Sequence, residues 1–357
     1  MRQIWSKSIS LLVMIDRTPS SPIVSARHNM QALSASVIRG PDGSTFVVDI
    51  SATKSGTSTN LYLSSYSSEL SLLLAPTKLP VVDTGEAVVG VGVCYAMPSS
   101  PFVIAATDHR ILVFDATTLA HIRDISFETF GAINVDPFTC DIVATFFDSG
   151  VTSTSITADG STMSSAVPPT NIIGFSLLKF NNNTKMWSPS WLSYTASSSL
   201  GLWTTAFDAR SQVLAAMVYA SDAAIVASFA GGASQSILNP ESGSSVVPSD
   251  TIVMTIDTPS GNMIAFSVIG GLQFQPSLIF NPITSMFDLA LAGYTALPQW
   301  DPPLNFIDGN LPGAPIFVSH FASAPPRCAG SLFVPISLSP SPSLSLCVCV
   351  CVCVCVC

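Results

Sequence analysis

Between Arg210 and Arg327 the chain has no lysine or arginine, while Asp222, Glu241, Asp250, Asp257, Asp288, Asp301 and Asp308 remain. Phosphate binding needs clustered cations, so this third of the chain argues against nucleic acid as a partner. Phosphate-bearing cofactors and anionic membrane surfaces are disfavoured on the same ground, and no G-x-x-x-x-G-K-[ST] or G-x-G-x-x-G stretch occurs. No cofactor is expected. Charge of either sign is scarce: Asp, Glu, Lys and Arg make up 10% of the residues, against roughly a quarter in ordinary domains. The solvent-facing positions are therefore hydroxyl-rich. No run approaches the roughly 18 to 20 uninterrupted apolar residues that span a bilayer, so no transmembrane segment is expected.

Catalytic and metal-binding spacings are missing as well. The four histidines, His28, His109, His121 and His320, form neither H-E-x-x-H nor H-x-H, and there is no G-x-S-x-G nucleophile elbow. Asp136, Asp141 and Asp148 lack the dense oxygen-ligand spacing of a calcium loop. Outside the C-terminal repeat the cysteines are Cys94, Cys140 and Cys328, an odd number with no C-x-x-C. That argues against a disulfide framework and for buried apolar cysteines.

What the chain does have is a hydrophobic fraction of 48%, enough to require a substantial core. Residues 88–147 set its cadence. Apolar runs rich in Val, Ile and Phe are separated by turn formers at Met97-Pro98-Ser99-Ser100, Asp108-His109, Asp115-Ala116-Thr117-Thr118 and Asp136-Pro137-Phe138-Thr139. The same rhythm begins near Met30, where Gly40-Pro41-Asp42-Gly43 turns between two apolar runs. It continues through a hairpin at Asn181-Asn182-Asn183-Thr184, a turn at Asp208-Ala209-Arg210-Ser211, another at Asp257-Thr258-Pro259-Ser260-Gly261, and Asn281-Pro282-Ile283-Thr284. Residues 148–170 have too few large apolar side chains for a buried strand and read as a long surface loop, as do residues 239–249.

These pieces, with Ile111-Leu112-Val113-Phe114-Asp115-Ala116-Thr117-Thr118 as the clearest, resemble a β-propeller of the WD40 or YVTN kind over about residues 30–293. The resemblance implies an all-β fold, a β-propeller-like array of four-stranded blades. Five units are recognisable, few for a closed ring, so an incomplete array is expected. No Gly-His and Trp-Asp pair marks the blades, and β-sandwich domains would satisfy the same strand spacing.

The ends differ from the middle. Residues 1–29 form a lead-in; residues 8–15 have about the minimum length for a signal-peptide core, against a gene-model N-terminus or a first strand as the plainer expectation. A cytoplasmic location is favoured over secretion. Asn182-Asn183-Thr184 matches a glycosylation acceptor, a tripeptide that chance alone supplies in a Ser/Thr-rich chain. Residues 294–336 are proline-rich and expected to be irregular, with an edge strand at residues 314–318. Residues 337–357 read as translated dinucleotide repeats, (TC)n giving Ser-Leu and (TG)n giving Cys-Val. Cys347, Cys349, Cys351, Cys353, Cys355 and Cys357 would chelate a soft metal only if that tail is real protein.

Function rests on few residues. Asp108 and His109 are the catalytic candidates, an acid/base pair whose plainer role is a two-residue turn. Trp187, Trp191 and Trp203 are the binding candidates, an aromatic platform whose plainer role is core. The leading expectation is a non-enzymatic scaffold binding a protein or peptide through its loops. The alternatives are a secreted propeller-type hydrolase or lyase acting on carbohydrate or ester substrates, and a gene fragment without independent function.

Overall fold

The structure is a computed structural model, and it describes residues 2–6, 9–14, 24–28, 31–39, 45–55, 58–67, 71–80, 88–95, 101–107, 110–126, 131–220, 224–229, 235–238, 250–269, 277–281, 285–292, 299–301, 306–310 and 316–322. In chain order the strands begin with β1 (Arg2–Ser6), β2 (Ile9–Met14) and β3 (Val24–His28), then β4 (Gln31–Arg39), β5 (Thr45–Ser55), β6 (Ser58–Ser67) and β7 (Leu72–Lys78). Next come β8 (Val88–Cys94), β9 (Phe102–Thr107), β10 (Arg110–Asp115), β11 (His121–Ser126), β12 (Ala132–Val135), β13 (Ile142–Ser149), β14 (Ser153–Ala158), β15 (Ser161–Ala166), β16 (Asn171–Asn181) and β17 (Met186–Ser197). The rest are β18 (Gly201–Asp208), β19 (Val213–Ala220), β20 (Ala224–Ser228), β21 (Gln235–Leu238), β22 (Asp250–Asp257), β23 (Asn262–Ile269), β24 (Ser277–Asn281), β25 (Met286–Ala292), β26 (Gln299–Asp301), β27 (Phe306–Asn310) and β28 (Ile316–Ala322). The chain is all-β: the described residues contain no helix, and hence none long and apolar enough to cross a membrane.

Every sheet is small and antiparallel. Four-stranded sheets run β4-β5-β6-β7, β8-β9-β10-β11 and β24-β25-β28-β27; a six-stranded one runs β12-β13-β16-β17-β20-β21 and a five-stranded one β18-β19-β22-β23-β26. β1-β2-β3 form a three-stranded sheet, so the apolar run near the N-terminus is a central strand flanked by two others. The proline-rich segment expected to be irregular carries β26, β27 and β28; β28 is no edge strand, since it pairs with both β25 and β27. Its prolines fall between these strands rather than within them, where they remove no ladder hydrogen bond.

The side-chain alternation explains why the middle strands read as continuous apolar runs. In β19, Val213, Ala215 and Met217 pack toward Phe287, Leu289 and Phe321, while Leu214, Ala216 and Val218 pack toward Ile173, Phe175 and Trp191. In β9, Phe102, Ile104 and Ala106 pack toward Ile142, Ala144 and Phe146, while Val103 and Ala105 pack toward Val48, Ile50 and Leu63. The sheets beginning at β8, β12 and β18 thus bury both faces, each lying between its chain neighbours, and alternation vanishes where neither face meets water. Their first strands meet as well: β8 lies against β4 and β12, and β18 against β12 and β24. Gly90 and Gly92 permit the close approach of β8 to β12, since a Cβ on Gly90 would stand 2.8 Å from Ile133 Cγ1 and one on Gly92 2.6 Å from Val135 Cβ.

The segment expected as a loop at residues 148–170 is instead the hairpin β14-β15, turning at Asp159-Gly160, with Thr154, Ile156 and Ala158 buried on one face of β14. Ile156 and Ala158 join the core between the β8 and β12 sheets. This hairpin leaves the chain between the second and third strands of its sheet. Two further excursions depart from the same place: β20-β21 adds to the outer strand β17 of the preceding sheet, and β26 to the outer strand β23. Outer edges that would otherwise be open are thereby paired. The loop expected at residues 239–249 lies outside the described residues.

Candidate functional site

The two ends of the stacked sheets are built differently. At one end a single turn recurs, in which Asp or Asn is followed three residues later by Ser or Thr and then by a residue of positive φ. It joins β10 to β11 at Asp115, β12 to β13 at Asp136, β16 to β17 at Asn181, β18 to β19 at Asp208 and β22 to β23 at Asp257. In four of the five the side-chain oxygen accepts the amides two and three residues on: Thr117 and Thr118, Phe138 and Thr139, Asn183 and Thr184, Arg210 and Ser211. The carboxylate of Asp257 accepts the Ser260 amide. Leu119, Cys140, Lys185, Gln212 and Gly261 take φ of 55°, 65°, 60°, 55° and 71°, the left-handed kink that closes such hairpins. Hydrogen bonds donated by Thr117 and Thr118 hold the Asp115 carboxyl below the usual carboxylate range.

These turns are tied across sheets. Gln212 Nε2 donates to Asp136 Oδ2 at 2.5 Å, and Thr258 N and Oγ1 both donate to the Gln212 carbonyl. Trp191 Nε1 donates to the Thr258 carbonyl at 2.6 Å and Ser193 Oγ to the Gly261 carbonyl at 2.9 Å, joining β17 to the β22-β23 turn. A disulfide links Cys94, at the end of β8, to Cys140 in the β12-β13 turn, with a Cα–Cα distance of 4.9 Å. The expectation of free apolar cysteines is corrected here. Both residues are buried in one core, as expected, but they come from neighbouring sheets and meet there.

At the other end, where β8, β12 and β18 start and β13 and β19 finish, the first strands part to leave a cleft of 640 Å³. Its walls include Gly90, Gly131, Asn134, Phe147, Trp203 and Tyr219. Asn134 Nδ2 donates to Thr205 Oγ1 at 2.8 Å between β12 and β18. The register of β18 on β19 slips between Leu202 and Thr204, so Trp203 is the extra residue of a β-bulge, a device that re-aims a side chain. Its ring packs on Tyr219 at 4.8 Å between centroids, and its buried indole N–H has no acceptor among the described residues. Tyr219 in turn lies over Gly201, where a Cβ would come within 2.1 Å of its ring. The cleft thus offers an aromatic wall, amide and hydroxyl groups and one unused buried donor. Among the described residues no carboxylate, imidazole, thiol or cationic side chain lines it.

The three tryptophans do not form one platform. Trp187 is 1% exposed, donates Nε1 to the Cys140 carbonyl at 2.8 Å and lies under the Arg123 guanidinium at 5.0 Å. Trp191 is buried at the turn end; Trp187 touches a small hollow beside Arg123 and Lys185, and Trp203 lines the cleft at the other end. Arg123 is itself held by Asp159 at the tip of β14-β15. Asp108 and His109 lie outside the described residues, as do the six cysteines of the C-terminal repeat. Among the described residues no cluster of His, Cys, Asp and Glu could hold a metal ion. Sequence reasoning missed Tyr219, Asn134 and Thr205; the bulge that exposes Trp203 leaves no mark in the pattern of β18.

No family model matches the chain, and no curated protein matches it.

Proposed function

We propose that the chain is a non-enzymatic β-propeller scaffold that binds a protein or peptide partner at the cleft end of its sheets. Support for the propeller arrangement comes from sheets stacked in chain order with adjacent first strands and apolar side chains on both faces; a two-sheet sandwich leaves one face of each sheet to solvent. Support for binding comes from one observation above others: Trp203, set out by a bulge at the cleft, keeps a buried N–H that no group among the described residues accepts. A buried donor without a partner is a standing penalty of about 1–3 kcal/mol, and a ligand carbonyl removes it when the ring turns to present the N–H to the cleft. A peptide backbone is rich in such acceptors, and an uncharged lining suits it.

The excursions leave from the same end. Phe147 precedes the β14-β15 segment and Tyr219 precedes the segment holding β20 and β21, and both side chains line the cleft. A partner entering there meets cleft and excursions together. The test is to select peptides from a displayed random library on the full chain, and to assay the same chain on ester and glycoside substrates. Selected peptides that compete with one another and hydrolytic rates equal to the buffer blank are expected. A rate above blank that disappears in His109→Ala would overturn the reading in favour of a hydrolase.

A further inference from the structure

We propose that Asn182 is an N-linked glycosylation site, carried by a chain that matures in an oxidising secretory compartment. This goes beyond the binding function above and does not depend on it. Asn182-Asn183-Thr184 is the only Asn-x-Ser/Thr tripeptide in the sequence. Its placement carries the proposal. Residues 181–186 are all exposed, at the tip of the β16-β17 turn. Asn181, not Asn182, holds that turn: its side-chain oxygen accepts the Asn183 and Thr184 amides at 2.9 and 3.3 Å, leaving the Asn182 carboxamide and the Thr184 hydroxyl out of the turn's hydrogen bonds. These are the two groups a transferase must reach, one as acceptor and one as recognition element.

The second observation is independent of the first. Cys94 and Cys140 form a disulfide between neighbouring sheets, and disulfides persist in the compartments where asparagine glycosylation takes place, while reducing compartments remove them. The chemistry balances without a redox step. Nδ2 of Asn182 forms a bond to C1 of the reducing-end sugar of a lipid-diphosphate-linked oligosaccharide, Nδ2 gives up one proton, and the lipid diphosphate leaves with the electron pair of the broken C1–O bond. The turn end carries the glycan, while the cleft at the opposite end stays open.

The full chain, with its own N-terminus, is translated in the presence of microsomes and compared with Asn182→Gln, Thr184→Ala and Thr184→Ser. A single mobility step removed by peptide N-glycosidase is expected for the wild type and for Thr184→Ser, and none for the other two. Non-reducing peptide mapping should recover Cys94 and Cys140 as one linked pair. An unshifted, protease-accessible wild-type chain overturns the proposal, and so does a shift that survives Thr184→Ala. All three substitutions fall on exposed turn positions, so loss of the shift reports the acceptor and not misfolding.

Discussion

Trp191→Phe separates a stack of sheets that unfolds as one body from a string of sheets that unfold one by one. The substitution keeps an aromatic ring in the core but removes the Nε1–H that reaches the Thr258 carbonyl at 2.6 Å, across from β17 to the β22-β23 turn. Leaving that buried carbonyl unpaired costs about 1–3 kcal/mol, and the smaller ring forfeits roughly 1 kcal/mol of burial, about 2–4 kcal/mol together. An unfolding entropy of about 2.1 cal/mol/K per residue converts this into a fall in Tm of roughly 3–6 °C if about 300 residues unfold together. If the sheet of about 55 residues unfolded alone, the same loss would move its transition by more than roughly 15 °C and leave the rest in place. Scanning calorimetry reads the two outcomes directly. One transition, shifted by a few degrees, supports inter-sheet stitching; a split thermogram refutes it.

Three further outcomes follow from the same geometry. Loss of the Cys94–Cys140 link, by Cys94→Ala with Cys140→Ala, should lower stability by about 4 kcal/mol on the loop-entropy estimate for a 46-residue separation, and reductant should destabilise the wild type but not the double variant in urea melts. Burial pushes the Asp141 carboxyl above its usual range, so the folded chain holds that proton more tightly than the unfolded chain and ionisation opposes folding. Asp141→Asn keeps an oxygen to accept the Phe180 amide at 2.8 Å; it should match or exceed the wild-type urea midpoint at neutral pH, with the gap closing as pH falls through the raised pKa. Gly201→Ala would place a Cβ 2.1 Å from the Tyr219 ring, displacing that wall of the cleft, and should weaken a selected peptide at least tenfold in fluorescence titration while circular dichroism stays that of the wild type.

Much of the fold was legible because turn chemistry is local. Asp136-Pro137-Phe138-Thr139 and Asp208-Ala209-Arg210-Ser211 announce their turns by residue type alone, while the pairing of Asp or Asn with Ser or Thr three residues later stands out only once the turns are aligned in space. The hairpin at 153–166 was not legible: it is anchored by Ile156 and Ala158, too few and too small to stand out in a run of Ser and Thr. The disulfide was equally hidden, since Cys94 and Cys140 are 46 residues apart and meet only when two sheets stack. Among the tryptophans, sequence neighbours parted in space. Alternation alone would put Trp187 and Trp191, four residues apart, on one face of β17, but a bulge at Ser190 flips the parity between them and places them in different cores, and a one-residue bulge in β18 delivers Trp203 to the cleft.

The most direct measurement is calorimetric titration of a library-selected peptide into the wild type and into Trp203→Phe, which removes the unused N–H and keeps an aromatic wall. A net hydrogen bond of about 1 kcal/mol predicts affinity weaker by roughly fivefold or more in the variant. Equal affinities would place the binding surface elsewhere and contradict the assignment of the cleft.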